Sequence, residues 1–183
     1  ANFFRYTLDH DDSVVTLDRE LALLRDYISL QELRFGERIS FEMDCDSRCA
    51  ACELPKFTLQ RIVENSIVHG MRSRSAGGRI RIVTQLAPEG GRIQITDNGG
   101  GFPEDVIAEI NEPDSPLYAQ NHVGINNVKK RLQLIYGDRA LYAFFNRDMG
   151  ERMGSVSEIL IPIDREMLNV AEDEPDGEEA FNG

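Results

Sequence analysis

The chain has 183 residues, of which 41% are hydrophobic and 28% are charged, the balance of an ordinary globular protein. Its length predicts one domain with a short appendage. The formal net charge of −12 comes with no basic stripe and no interleaved aromatic residues, so nucleic acid is not an expected partner. No apolar run approaches the ~20 residues of a membrane span, and the first residues lack the basic start and apolar core of a signal peptide.

Two helices separated by a polar break are predicted at the start of the chain. Residues 2–8 resemble the end of a helix, which suggests that the sequence is a piece cut from a longer protein. Thr16 suits the N-cap of the second helix, because the acids that follow favour the helix dipole. An apolar face with spacings of four, three and four carries this helix to about Phe35, where Gly36 fits its end. That face consists of Leu17, Leu21, Leu24 and Ile28.

Strands and helices are mixed in the rest of the chain. Strands are predicted at residues 39–43, 79–86, 92–96, 140–145 and 154–163, and helices at 56–69, 103–110 and 123–136. The order is not a strict βαβα alternation, because two pairs of strands are consecutive. It predicts the α+β class: a two-layer α/β sandwich with one mixed, mostly antiparallel sheet and helices on one face.

Three cysteines with the spacing C-x3-C-x2-C lie between the first strand and the next helix. Cys45, Cys49 and Cys52 match the iron–sulfur ligand spacing of radical enzymes that use S-adenosylmethionine, but the chain lacks the repeated βα units of those enzymes. A zinc site requires a fourth ligand nearby, and none is obvious. The favoured interpretation is reduced cysteines in and beside a loop of a cytosolic protein.

The first candidate site lies on the helix that precedes the second strand. Asn65 and His69 are four residues apart and therefore share a helix face. An asparagine amide oxygen can bind a metal ion or a metal-bound water. Taken alone, an asparagine at a helix end and a capping histidine on the surface explain the pair better.

The second candidate site is the end of the third strand, in the segment RIQITDNGGGFPE. The strand runs into Asp97, and Asn98 and three glycines follow before Phe102. Glycines permit positive φ and let another molecule approach the backbone closely. A carboxylate accepts hydrogen bonds, for example from an exocyclic amine such as that of adenine. A tight hairpin turn would explain the glycines but not the acid.

The third candidate site is the segment HVGINNV at residues 122–128, where a loop passes into a helix. The start of a helix presents free N–H groups, which suit a phosphate. A single glycine before a helix is a weak signal, and an ordinary helix cap explains it equally well.

Together, in this order and setting, the three patches resemble the N box and the two glycine boxes of the GHKL ATPase superfamily. The resemblance implies the Bergerat ATP-binding fold, with ATP and Mg²⁺ as cofactors and residues 102–122 as the ATP lid. It implies that Asn65 binds the metal ion and that Asp97 recognises the adenine amine. The cofactor-binding residues that it implies are Asn65, His69, Asp97, Gly99, Gly101, Phe102, Gly124, Ile125 and Asn127.

Within that superfamily the chain resembles the LytS-like sensor histidine kinases from about residue 3 to 163. The matching segments are TLDREL and QELRFG within residues 16–36, VEN and HG within 63–70, and DNG and GFP within 97–103. The last match consists of Val128, Arg131-Leu132 and Tyr136-Gly137. The resemblance implies a dimeric kinase that transfers the γ-phosphoryl group of ATP to a histidine upstream of residue 1, and then to a response regulator. It also implies a cytoplasmic segment of a protein that is anchored in the inner or plasma membrane by upstream segments.

One spacing separates kinase from hydrolase. GHKL hydrolases carry a general-base glutamate four residues before the metal-binding asparagine, and Arg61 occupies that place here. Arginine cannot deprotonate water, so attack of water on ATP is disfavoured. Glu64 points about 100° round the helix from Asn65. The resemblance to the kinase motif makes Glu64 the candidate catalytic residue, which would polarise the acceptor histidine.

Two departures from the family pattern support an alternative. The usual lysine three residues after the asparagine is Val68, and His122 replaces the first glycine of the second glycine box. The alternative is a degenerate pseudokinase that acts as a dimerisation or regulator-binding module.

Three regions are expected along the chain. Residues 1–35 are the helical remnant of a dimerisation or linker region, and residues 36–165 are the ATP-binding domain. Residues 166–183 are a disordered acidic tail, because few large apolar groups accompany the net charge of −7 at 164–183.

Overall fold

The computed structural model describes residues 14–71, 76–111, 123–150 and 153–163. The strands are β1 (Val14–Thr16), β2 (Ile39–Cys45), β3 (Glu53–Pro55), β4 (Gly78–Ala87), β5 (Gly90–Asp97), β6 (Leu141–Asp148) and β7 (Met153–Ile161). The helices are α1 (Leu17–Phe35), α2 (Thr58–Asn65), α3 (Glu104–Asn111) and α4 (Val123–Tyr136), and a π-helical turn at Ser66–Gly70 continues α2. The predicted helix at residues 2–8, residues 112–122 of the lid and the acidic tail lie outside the described residues.

One five-stranded sheet forms a layer of the fold, in the order β2-β4-β5-β7-β6. The pair β2–β4 is parallel and the other three pairs are antiparallel, which confirms the predicted mixed sheet. Isoleucines on β4 and β5 point to the helices, and the arginines between them face solvent. Because successive side chains of a strand point to opposite faces, this alternation gives the sheet one apolar face that packs in the core.

The core lies between that face and α1, α2 and α4, and all three helices contribute to one buried cluster. The side chains with at most 1% of their surface exposed include Leu17, Leu24, Leu54, Leu59, Ile62, Val63, Ile80, Ile82, Ile93, Ile95 and Ile159. The predicted apolar face of α1 is confirmed, since its four members are all buried. Helix α1 therefore packs as part of the sandwich.

The ends of α1 are as predicted. Thr16 has extended backbone, and its hydroxyl oxygen accepts a hydrogen bond from the Arg19 N–H at 3.4 Å. Gly36 ends the helix with φ of 54°, and its N–H donates to the Glu32 carbonyl. Both features are short-range, which explains why the sequence indicates them.

The predicted helix at 56–69 differs at both ends. It starts at Thr58, because Pro55 belongs to β3 and Phe57 has a left-handed backbone with φ of 62°. It changes to the π-helical turn after Asn65, and the Met71 N–H donates to the Ser66 carbonyl at 3.0 Å. π-Helical turns are rare and are found mostly at functional sites.

Strands β1 and β3 were not predicted. Each has three residues, and they pair antiparallel with each other outside the main sheet. Val14–Thr16 leads directly into α1, and Glu53–Pro55 leads towards α2. The small sheet therefore brings the chain before α1 beside the chain before α2.

Candidate functional site

Asp97, at the end of β5, is the centre of the candidate site. Its side chain is 1% exposed. Its carboxyl group accepts hydrogen bonds from the N–H of Gly99 at 2.9 Å, from the N–H of Ser155 at 3.4 Å and from the Ser155 hydroxyl. Ser155 reaches Asp97 because β7 pairs with β5. A serine in a strand carries no sequence signal, so only the strand register identifies this partner.

Two positions beside Asp97 must be glycine, because neighbouring atoms lie too close to leave room for a side chain. A Cβ atom on Gly70 would lie 2.7 Å from Asp97 Oδ1, and a Cβ atom on Gly99 would lie 2.0 Å from the Gly70 carbonyl oxygen. The end of the π-helical turn therefore rests directly on the loop after β5. Only glycine fits at these two positions without displacing backbone or carboxyl group.

Asn98 faces the other way and has a structural role. Its side-chain oxygen accepts from the Arg79 N–H at 2.7 Å, and its amide donates to the Gly77 carbonyl at 3.1 Å. These bonds tie the end of β5 to the start of β4. Asp97 and Asn98 are adjacent in sequence, but only Asp97 belongs to the candidate site.

Phe102 closes the glycine loop against β6. Its N–H donates to Asn146 Oδ1 at 2.9 Å, and the Asn146 amide donates to the Phe102 carbonyl at 2.7 Å. Its ring packs edge-on to Phe144 at a centroid distance of 4.9 Å, and the His69 ring lies 6.0 Å away. Gly101, with φ of 68°, makes the preceding turn. Asn146 is a second partner that the sequence did not indicate.

Glu64 and Asn65 end α2, and both are half-buried. Glu64 accepts from Gln60 Nε2 at 2.9 Å and pairs with Arg61 at 3.6 Å. Burial, and then the nearby charge of Glu64, raise the pKa of Tyr27 on α1 to about 12. Glu64 therefore lies near α1, whereas the exposed His69 lies near Phe102.

Helix α4 begins at Val123, so Gly124 and Ile125 lie in its first turn and the exposed Asn127 in its second. The first N–H groups of a helix lack helical partners, as the phosphate prediction requires. His122 lies outside the described residues. Lys129 donates to the carbonyls of Ile110 and Asn111 at 3.2 and 2.8 Å, so α4 is fastened to the end of α3.

Direct contacts join only some of the predicted cofactor-binding residues to one another. His69, Asp97, Gly99 and Phe102 are joined through Gly70 and the aromatic contact. Asn65 is connected to them by the π-helical turn. Gly124, Ile125 and Asn127 belong to the helix that is fastened to α3 by Lys129.

The chemistry of these groups fits a magnesium nucleotide. A buried carboxyl group is an acceptor for an amine, and the amide oxygen of Asn65 is a hard ligand that Mg²⁺ accepts. Among the described residues, no group of three or more His, Cys, Asp or Glu side chains could hold a metal ion. In the part of the chain that the structure covers, no helix is both long and apolar enough to cross a membrane.

Two family models match the chain. The model described as histidine kinase-, DNA gyrase B-, and HSP90-like ATPase matches residues 56–165, and a histidine kinase model matches residues 1–39. Sensor histidine kinase YpdA of Escherichia coli K12 is 30% identical over 139 residues, which are 75% of this chain and 24% of YpdA. Sensor protein LytS of Staphylococcus saprophyticus is 28% identical over 141 residues, which are 76% of this chain and 24% of LytS. The chain thus spans about a quarter of the length of these relatives.

Solved structures show the same fold. The catalytic domain of histidine kinase ThkA has a TM-score of 0.58 at 15% identity, over 84% of this chain and 97% of that chain. The mycobacterial sensor histidine kinase MprB has a TM-score of 0.56 at 20% identity, over 81% of this chain and 95% of that chain. The α+β sandwich is therefore that of histidine kinase catalytic domains. The chain belongs to the family of histidine kinase-, DNA gyrase B- and HSP90-like ATPases, and its curated relatives are LytS-like sensor kinases.

Proposed function

We propose that this chain is the ATP-binding catalytic domain of a two-component sensor histidine kinase. The observation that carries the proposal is the buried carboxyl group of Asp97, held by Ser155 and Gly99 directly beside the Gly70 backbone. Burying an acid without a cationic partner in these contacts costs free energy, so its presence here favours a functional reason over a purely structural one. Recognition of the adenine amine supplies that reason.

In the proposed complex, three parts of the site bind three parts of the nucleotide. Asp97 accepts a hydrogen bond from the adenine amine, and the backbone of Gly99 and Gly101 lies against the base and sugar. His69 and Phe102 flank that loop. The phosphates lie at the first turn of α4, with Gly124, Ile125 and Asn127. Asn65 would hold Mg²⁺, which would neutralise charge on the phosphates.

The proposed reaction is phosphoryl transfer to a histidine that the family resemblance places before residue 1. An imidazole nitrogen attacks the γ-phosphorus in line, the bond from that phosphorus to the β–γ bridging oxygen breaks, and ADP leaves. Glu64 would accept a hydrogen bond from the imidazole N–H and so polarise it. The phosphoryl group then passes to an aspartate of a response regulator. Positioning and charge neutralisation supply most of the rate.

The proposal extends to the whole protein. Residues 1–35 lead from the linker of a homodimer and end in α1, which packs on the ATP-binding domain of residues 36–165, and residues 166–183 are a tail. The domain works in the cytoplasm, and the protein is anchored in the inner or plasma membrane by segments that precede it.

Val68 favours a second candidate function. Its side chain is 59% exposed on the π-helical turn, where the family pattern has a lysine. A missing cation weakens the hold on the phosphates. The alternative is therefore a pseudokinase that dimerises or binds the regulator without transferring phosphate.

Calorimetric titration of residues 1–183 with a non-hydrolysable ATP analogue, with and without Mg²⁺, tests the proposal. We expect Mg²⁺-dependent binding by the wild type and by the control Asp44→Asn, whose carboxylate is 72% exposed and pairs with Arg81. Asp97→Asn should bind at least about tenfold more weakly, the effect of losing one good hydrogen bond. Asn65→Ala should lose the dependence on Mg²⁺.

Absence of wild-type binding at millimolar analogue would reject the catalytic proposal and favour the pseudokinase. Circular dichroism of each variant separates loss of binding from loss of fold. Steady ATP turnover by the chain would point to a hydrolase instead.

A further inference from the structure

A second chemical group lies at the opposite end of β5, in the turn that joins β2 to β3. Cys49 is 0% and Cys52 4% exposed, and neither is in a disulfide. The Cys52 N–H donates to the Cys49 carbonyl at 3.0 Å, which closes a tight turn between them. Such a turn brings its first and last Cα atoms within about 7 Å, and disulfides span Cα distances of about 4.4–6.8 Å.

The two sulfur atoms lie over the same glycine. A Cβ atom on Gly91 would lie 2.5 Å from Cys52 Sγ and 3.9 Å from Cys49 Sγ, so both thiols occupy the space that a side chain would fill. The thiols also hydrogen-bond to each other. That bond, and then burial, raise the pKa of Cys49, and the same bond lowers the pKa of Cys52. The pair thus has one sulfur that is more readily a thiolate than the other.

Cys52 is also the member of the pair that borders the surface. It lines a surface pocket of about 170 Å³ together with Ala51, Glu53, Tyr136 and Arg139. Cys45, the third cysteine, lies at the end of β2, and its thiol hydrogen-bonds to Thr84. Cys45 therefore has a hydrogen-bond partner outside the pair.

The cysteine turn also supports the start of α1. The N–H of Leu17 donates to the Cys52 carbonyl at 2.6 Å, and the N–H of Asp18 donates to the Ala50 carbonyl at 3.1 Å. These are two of the helix-start N–H groups that lack partners within the helix. A change that moves the carbonyl of Ala50 or Cys52 therefore changes the capping of α1.

We propose that Cys49 and Cys52 form a reversible intramolecular disulfide with small-molecule disulfides, and that its formation alters the start of α1. The Cys52 thiolate attacks one sulfur of an oxidised low-molecular-weight disulfide, and a mixed disulfide forms as the first small thiol leaves. Cys49 then attacks Cys52 Sγ, and the second small thiol leaves. Two cysteine thiols are oxidised, and one small disulfide is reduced to two thiols, which carry the two protons. Formation of this disulfide does not require bound nucleotide.

Equilibration of residues 1–183 in glutathione buffers of increasing oxidised fraction tests the site. After quenching, free thiols are labelled with a maleimide and counted by intact mass, and peptide mapping locates the bond. The wild type and Cys45→Ser should both lose two labels in one step without gaining glutathione. Cys52→Ser and Cys49→Ala, each checked for folding, should not lose labels in pairs.

Any of three results would overturn the site, and the first two are retention of all three labels in the most oxidising buffer and a bond that involves Cys45. Stable glutathione adducts in place of the disulfide would do the same. Hydrogen exchange then tests the coupling, because the amides of Leu17 and Asp18 should change rate several-fold on oxidation of Cys45→Ser and stay constant in Cys52→Ser. Unchanged rates in oxidised Cys45→Ser would overturn the coupling to α1.

Discussion

Replacement of Glu20 by alanine should destabilise the domain strongly, because this side chain caps a helix to which it does not belong. Glu20 lies on α1 and is 2% exposed. Its carboxylate accepts hydrogen bonds from the N–H of Phe57 at 2.6 Å and of Leu59 at 3.1 Å, at the start of α2. Phe57 has no side-chain hydrogen bond that could serve as an N-cap. Glu20 supplies the acceptor instead.

The expected loss follows from these two bonds. Alanine would remove this acceptor from both N–H groups, and the loss of an acceptor costs about 1–3 kcal/mol for a buried donor such as that of Leu59 and less for the part-buried donor of Phe57. Loss of the favourable charge near the start of α2 adds about 0.3–1 kcal/mol. We expect Glu20→Ala to lower the free energy of unfolding by roughly 3–5 kcal/mol, and Glu20→Gln, which keeps one oxygen, by roughly half as much.

Urea unfolding, followed by circular dichroism, measures the difference from the midpoint and slope. Glu32→Ala is the matched control, because Glu32 is an exposed acid on the same helix and its loss should change stability by less than about 0.5 kcal/mol. The reasoning would be refuted by a Glu20→Ala protein that unfolds at the same urea concentration as the control.

Three further predictions concern other parts of the sandwich. The side chain of Arg48 holds the pKa of Asp46 at about 2, below the ordinary value of 3.8, so the stability that Asp46 contributes is present above about pH 4 and lost as the pH falls through about 2. Urea unfolding should show a penalty of about 1 kcal/mol for Asp46→Asn at pH 6 that shrinks towards pH 2; a constant penalty would exclude ionisation as its cause. Burial and the charge of Glu64 raise the pKa of Tyr27 to about 12. The phenolate absorbance of Tyr27, identified by its absence in Tyr27→Phe, should therefore appear only near pH 12, and at a lower pH in Glu64→Gln. Titration of Tyr27 at its ordinary pH of about 10 would contradict its burial, and an unchanged titration in Glu64→Gln would contradict the placement of Glu64 beside α1. Gly70→Ala should abolish binding of the ATP analogue in calorimetry, because its Cβ would lie 2.7 Å from Asp97 Oδ1. Gly137→Ala, where a Cβ has no neighbour within 4 Å, should cost stability at φ of 58° but leave affinity unchanged; equal affinity losses would refute the steric argument.

The predicted parts of the fold share a local cause. Alternation along β4 and β5, the apolar face of α1 and its glycine end depend on residues a few positions apart. The same is true of the Asp97 turn, where the acid and its glycines are neighbours. These features were visible without the structure, because short-range patterns determine them.

The parts that were missed depend on pairs of residues far apart in sequence. The β1–β3 sheet joins two segments of three residues, each too short to show a period. Ser155 reaches Asp97 across 58 positions, and Asn146 reaches Phe102 across 44. Glu20 caps a helix start 37 positions away, and a glutamate on a helix predicts solvent exposure rather than burial. Only the assembled sheet and helices identify these partners.

The cap by Glu20 has a consequence for the exchange of modules between sensor kinases. Recombination that joins a foreign ATPase unit at residue 36 would separate this carboxylate from the N–H groups of Phe57 and Leu59. A chimaera joined before Val14 would instead inherit both halves of the interaction, together with the β1–β3 pairing. Viable natural and engineered fusions should therefore have their junctions ahead of α1.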